Sequence, residues 1–319
     1  MARKTVNCSI GLILSLMGVP AASRKHANSS HEWPSFVLEQ NTSAIKENLT
    51  RLEEFLAFAY IAVGNESATE PFLLLSLSTL RRVGGWRGDT FVVTDRAECI
   101  PPSARAVVVP PAPTGSDETA KVKYGKHFKQ RLLHVLPLSQ RHRYVFFTDI
   151  DIFIGSAVGP FLLNAVEDFE ASKAAIGLFR EGAGLNGQID YNASPGEKHK
   201  SLYHSGLLLL SRDAASSACL QDWSVWYTSF RDKDQPQLTK SVNAGACNVS
   251  LLDQKSYAQP TADNAGTYWT FNHFTRSGRM QGREGVHSDQ LTLAGEVLLG
   301  LDAELAKRWW SSTSPLCES

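Results

Sequence analysis

The apolar and polar positions divide the chain into a polar lead and a long alternation of strands and helices. Residues 24–54 are polar, and the first continuously apolar run spans 55–63, from Phe55 to Val63. Such a run suits a strand buried on both faces, and Gly64 and Asn65 break it. Phe72, Leu73, Leu74, Leu77 and Leu80 then recur at helical spacing. They predict a helix over 70–82, ended by Gly84 and Gly85. Strands are predicted at 90–94 and at 106–109, the latter closed by Pro110 and Pro111. After a loop at 112–119, a basic helix is predicted over 121–138, and a strong strand over 144–154. A helix at 161–171 and a strand at 174–179 continue the rhythm. This order predicts an α/β fold: a mainly parallel sheet with helices on its faces, in one large domain.

Beyond residue 180 the pattern loosens. Residues 182–200, rich in Gly, Asn, Pro and charge, read as a loop, and 207–210 as a short strand. Cys219, Trp223, Trp226, Tyr227 and Phe230 share one face of a predicted helix, a stripe better read as core than as a ligand site. Residues 267–274 are a further strand candidate, followed by a basic, Gly-rich stretch at 276–285.

The chain's start reads as an address. Arg3 and Lys4 precede an apolar stretch from Ile10 to Val19, and small residues follow Pro20. That is the layout of a signal peptide over 1–22, with a short signal anchor as the alternative. The run is shorter than the roughly 20 residues of a bilayer span. Residues 23–54 then form a polar stem or a loosely packed N-terminal helix, and 55–319 the folded domain. Sequons at Asn28, Asn41, Asn48, Asn65, Asn192 and Asn248 agree with export. Without Cys8, the cysteines Cys99, Cys219, Cys247 and Cys317 allow three disulfide pairings. The expected location is the secretory pathway, in the ER or Golgi lumen or outside the cell. Charge narrows the partners: Lys plus Arg and Asp plus Glu are 32 each. No net field draws nucleic acid or anionic lipid, so membrane contact is expected only through an N-terminal anchor.

The sharpest chemical signal is Asp149-Ile150-Asp151 inside the apolar run 144–154. In an extended chain both carboxylates project to one side, close enough to repel. Two buried anions need compensation, and a hard divalent ion with oxygen ligands supplies it. The end of a parallel strand is also where open α/β sheets bind ligands. The bland alternative places both on a loop past the strand, capping or facing water.

With this pair in place, residues 55–274 resemble the GT-A glycosyltransferases, in particular the retaining enzymes related to glycogenin and bacterial galactosyltransferases. The resemblance implies a metal-dependent transferase that moves a sugar from a UDP- or GDP-sugar donor to a glycan, glycoprotein or lipid acceptor. It implies that Asp149 and Asp151 hold manganese or magnesium, with Asp149 also on the ribose side of the donor. The run Arg131-Leu-Leu-His-Val-Leu-Pro137 is similar to a donor-contacting helix segment, which makes Arg131 the candidate and Lys129 the fallback. His204-Ser205-Gly206 matches a small-residue turn into an apolar strand, with Ser205 and Gly206 near the donor sugar. Asp234-Gln235 fits the family's Asp-Gln pair in the catalytic position, and Asp289-Gln290 duplicates it. His273 would complete the metal site. The family's following Gly and Lys are absent; Phe274, Thr275 and Arg276 stand there, and Arg276, Arg279 or Arg283 are candidates for the diphosphate. Asp234 would be the base of an inverting reaction, whereas a central Gln235 would favour retention.

Two rivals remain from the sequence. A dehalogenase-like phosphatase also carries D-x-D at a strand end, but small residues follow there, and Ile152 and Phe153 follow here. A non-enzymatic sugar-binding or scaffold protein on the same fold is the other.

Overall fold

The computed structural model describes residues 42–64, 71–113, 115–116, 118–180, 203–227, 234–258 and 269–273, with short pieces at 299–300 and 303–304. The expected signal peptide, the loop at 182–200, Arg276, Arg279, Arg283 and Asp289-Gln290 lie outside them. Among the described residues no helix is long and apolar enough to cross a membrane.

The chain enters the fold through helix α1 (Thr42–Phe55) and runs directly into strand β1 (Leu56–Ala62). Leu52 of α1 joins the buried core, and Leu49 packs against Gly159. The folded unit begins at Ser43, so the end of the expected stem belongs to it. The predicted helix at 70–82 is α2 (Pro71–Arg82), and strands β2 (Thr90–Thr94) and β3 (Arg105–Val108) follow. β1 pairs in parallel with β2 and with β4 (Tyr144–Thr148), and β2 with β3. β1, β2 and β4 are buried on both faces, as a sheet covered by helices requires, whereas the edge strand β3 is largely exposed.

Two expected elements are broken. The basic helix over 121–138 is α3 (Glu118–Lys126), a 3₁₀ segment (His127–Arg131) and a single α turn, α4 (Leu132–Val135). Gly125 makes the close approach possible: a Cβ there would stand 3.1 Å from Cβ of Val63. The tighter 3₁₀ winding buries Phe128, Lys129 and Gln130 together. The predicted strand 144–154 is likewise two strands. β4 ends at Thr148, residues 149–151 turn, and β5 (Ile152–Ile154) joins a second sheet. The premise of a shared extended strand for Asp149 and Asp151 is therefore wrong. Two carboxylates cannot continue inside a dry ladder, and the backbone turns where they occur.

Helix α5 (Gly159–Ser172) leads to β6 (Ile176–Arg180), and the predicted short strand at 207–210 is the core of a longer β7 (Tyr203–Ser211). Helices α6 (Ala214–Trp226) and α7 (Asp234–Asn243) precede β8 (Val249–Leu251), β9 (Tyr257–Ala258) and β10 (Phe271–His273). The main sheet has seven strands in the order β3-β2-β1-β4-β7-β6-β8, with β7 antiparallel to both neighbours. The small sheet has the order β5-β10-β9. The fold is thus α/β, with a mainly parallel sheet flanked by helices.

One face of the main sheet is aromatic: Phe58 packs on Trp86 and Phe146, and Phe161, Phe179 and Phe271 close over it. The other face is mostly aliphatic and takes Cys219 and Trp223 of α6. The aromatic stripe of α6 is core as expected for Cys219, Trp223 and Tyr227, but Trp226 is exposed and lies under the Lys240 ammonium. A disulfide joins Cys219 to Cys247, and Cys99 is disulfide-bonded to a partner outside the described residues.

Candidate functional site at the strand ends

The turn after β4 brings four elements together. The Asp149 N–H donates to the Gly206 carbonyl at 2.7 Å, one rung beyond the β4–β7 ladder. The Asp149 side chain then lies against Gly206 itself. A Cβ at 206 would meet Asp149 Oδ2 at 2.6 Å and His204 Cε1 at 2.5 Å. A side chain at 206 would thus displace the His204 ring and the Asp149 carboxylate. The sequence expected a turn at 204–206 in which the glycine makes room for sugar; these residues instead form the first half of β7.

The cation facing Asp149 comes from the 3₁₀ segment. Lys129 Nζ lies 3.0 and 3.2 Å from the two Asp149 oxygens, 3.0 Å from the Ser205 carbonyl and 2.8 Å from Asp234 Oδ2. Its side chain is 1% exposed. Arg131, the first choice from sequence, is exposed two residues further on; the fallback Lys129 is the residue that enters the cluster. A second cation, Lys126, reaches the other oxygen of Asp234 at 3.0 Å. Ser205 Oγ donates to Asp234 Oδ2 at 2.7 Å, and the Trp223 indole donates to the Asp234 carbonyl at 3.1 Å.

Asp234 is consequently a carboxylate with both oxygens occupied. Burial pushes its pKa up, but Lys126, Lys129 and the Ser205 hydroxyl together hold it well below the usual carboxylate range. In this arrangement both oxygens of Asp234 are engaged, and the carboxylate anchors Lys126 and Lys129. Ser205 is committed to Asp234 in the same way. Lys126 is held above its ordinary range, chiefly by Asp234. Asp149 is pushed up by burial, with Lys129 opposing and Asp151 reinforcing. Gln235, half-buried, occupies the next position of α7.

On the other side of the turn, β10 pairs antiparallel with β5, opposing His273 to Ile152. His273 Nε2 lies 3.7 Å from Asp151 Oδ1, and its Nδ1 pairs with the Tyr257 hydroxyl at 2.8 Å. His204 packs edge-on to His273, with ring centres 4.6 Å apart. The Gly206 N–H donates to His204 Nδ1 at 3.2 Å, which puts the ring proton on Nε2. Burial and the neighbouring His273 hold His204 well below its ordinary range, so it is neutral.

These residues can be tested against a divalent ion. A carboxylate opposite an imidazole whose far nitrogen is already held is the arrangement metal-binding histidines use, and Asp151, His273 and Tyr257 provide it. Asp149 does not complete a triad, because Lys129 engages both its oxygens. Among the described residues no group of three or more His, Cys, Asp or Glu side chains is placed to hold a metal. The set expected from the sequence is therefore a fitted pair beside a lysine-bound carboxylate. Lys126, His204 and Tyr257 were not singled out by sequence. His204 directly precedes the Ser-Gly step, whereas Tyr257 carries no local signal.

No protein-family model matches the sequence, and no curated protein matches it. Among solved structures, the chain is similar to galactosyltransferase LgtC in complex with donor and acceptor sugar analogs. The identity is 13% and the TM-score 0.44, over 74% of this chain and 95% of that one.

Proposed function

We propose that this protein is a metal-dependent glycosyltransferase that takes its sugar from a nucleotide-diphosphate donor, UDP- or GDP-linked. The observation that carries the reading is the acidic turn at the end of β4. It is flanked by the Asp151–His273 pair on one side and by buried Lys129 on the other. Carboxylates and a cation at the carboxyl ends of parallel strands suit a ligand that brings both a diphosphate and hydroxyl groups. The D-x-D resemblance gives the pair its class.

Asp151 and His273 would hold manganese or magnesium, with Asp149 beside them. Bound there, the ion would neutralise the charge that grows on the departing diphosphate. The chain's own residues set the frame for that step. Tyr257 orients the His273 ring, and Gly206 leaves space for Asp149. Asp234 fixes Lys129 and Lys126 at one edge, and Lys129 in turn holds the Asp149 carboxylate in place. With Asp234 serving as an anchor, Gln235 is the remaining expected catalytic side chain, and retention of configuration is the favoured course. The disulfides support an oxidising compartment, hence the secretory pathway.

Calorimetric titration of UDP and GDP, each with and without manganese, tests this on wild type and on Asp151→Ala. Manganese-dependent binding of one nucleotide, abolished by the substitution, is the expected result. Folded protein that binds neither nucleotide would overturn the reading in favour of the scaffold alternative.

A further inference from the structure

Two sequons lie within the described residues, and their surroundings are opposite. Asn48, in α1, is exposed, and the Thr50 of its sequon is exposed as well. Leu52, one turn further along the same helix, is buried, so the exposed Asn48 borders the packed side of α1. Asn248 is exposed too, but its amide is in use. Nδ2 donates to the Ser172 carbonyl at 3.2 Å and to the Lys173 carbonyl at 3.1 Å. Those are orphan carbonyls at the end of α5, where Lys173 turns left-handed with φ 50°. The Asn248 carbonyl in turn accepts from the Ala175 and Ile176 N–H groups at 2.8 and 3.2 Å. Ser250, the hydroxyl residue of this second sequon, is buried in β8 opposite Gly177.

We propose that Asn48 is an N-glycosylation site and that Asn248 stays bare, its amide serving as the clamp between the end of α5 and the start of β8. The glycosylation half rests on the secretory reading given above. In that reaction the amide nitrogen attacks the anomeric carbon of an oligosaccharide carried on a lipid pyrophosphate. The C–O bond to the phosphate breaks, the lipid pyrophosphate leaves with the electron pair, and the nitrogen loses one proton to a base of the transferase. The product is a secondary amide with a single N–H. At Asn248 that product loses one of its two carbonyl partners and puts a sugar ring where the end of α5 lies. At Asn48 it displaces no contact of the core, because that side chain is already exposed to solvent.

The test is site occupancy on the full chain made in a secreting eukaryotic cell. Glycans are removed enzymatically in heavy-oxygen water, and peptides spanning Asn48 and Asn248 are weighed. Label on Asn48 and none on Asn248 is expected. Label on Asn248 in the folded product overturns the proposal, as does a bare Asn48 while another sequon carries glycan. Absence of glycan from every sequon overturns the secretory reading, and with it the modification at Asn48. The clamp is then tested separately on unglycosylated bacterial protein. Asn248→Ala should lower the thermal midpoint by several degrees and Asn48→Ala should not move it; equal shifts overturn the clamp.

Discussion

Two cationic side chains are tied down at opposite ends of the main sheet, and their partners differ in kind. Arg81, at the end of α2, reaches over the entry to β2. Its guanidinium donates to the carbonyls of Trp86, Gly88 and Ser103 at 3.0, 2.9 and 2.8 Å and to Thr90 Oγ1 at 3.0 Å. All four acceptors are neutral. Lys129, at the exit of β4, has two carboxylates for partners. A guanidinium spread over neutral oxygens knits loops together and leaves no group dependent on it for charge balance. An ammonium buried between two carboxylates depends on them and they on it, so the pair costs more to disturb. The parallel strands enter at the first site and leave at the second. Under the proposed function, the entry end serves stability and the exit end ligand chemistry, the end at which open α/β sheets generally bind ligands.

The sharpest way to break that contrast is Lys129→Met. It leaves Asp149 and Asp234 short of their shared cation and should cost about 3–5 kcal/mol of stability, read by chemical denaturation, along with nucleotide binding. Asp151→Asn should behave differently. Turnover of the donor should fall about a hundredfold or more while the unfolding midpoint barely moves, since the pair with His273 is replaced by an isostere. Arg81→Ala is the mirror image: about 2 kcal/mol of stability lost, with nucleotide affinity of the folded protein unchanged. Loss of binding there, with the protein still folded, would erase the distinction between the two ends. Gly206→Ala tests the crowding at Asp149. The 2.6 Å contact forces the carboxylate to move, at about 1–3 kcal/mol and with weakened binding.

The smallest effect is in pH. Burial holds His204, His127 and His142 below their ordinary values. Between the folded and unfolded pKa values the unfolded chain binds more protons, so stability rises with pH there. It should therefore fall as pH drops below about 6.5, by at most about 1.4 kcal/mol per pH unit for each histidine. Asp234 acts in a separate window. Its folded pKa is depressed, so its contribution is complete above the unfolded value of about 3.9 and is lost as pH falls through the lower folded one. Denaturation midpoints from pH 8 to 3 should show the histidine slope first and the ion network only in strong acid. Asp234→Asn should remove the second phase alone.

Much of this architecture was legible along the chain. The strands at 56–62 and 90–94 and the helix at 71–82 follow from hydrophobic run length and period, which local residues dictate. Asp149 and Asp151 stood out because carboxylates inside an apolar run demand a reason. Cysteine pairing, the break in the basic helix and the choice of Lys129 over Arg131 were not legible in that way. Each depends on which neighbour is near after folding. The 3₁₀ segment that carries Lys129 inward packs on α6, whereas a helical motif read at regular spacing points to the exposed Arg131. Nor was it legible that the Ser205 hydroxyl and the Asp234 carboxylate face each other.

The sequence by itself determined the α/β order of elements, the buried strands and the acidic pair, because periodicity and the cost of buried charge are local properties. Only the tertiary structure decided the turn between β4 and β5 and the Lys126–Asp234–Lys129–Asp149 chain of charges. It likewise decided the pairing of His273 with Tyr257 and which sequon amide is already occupied. Those arrangements join residues far apart in the chain, and what each side chain bonds to is fixed by distance in space and by which groups water has left.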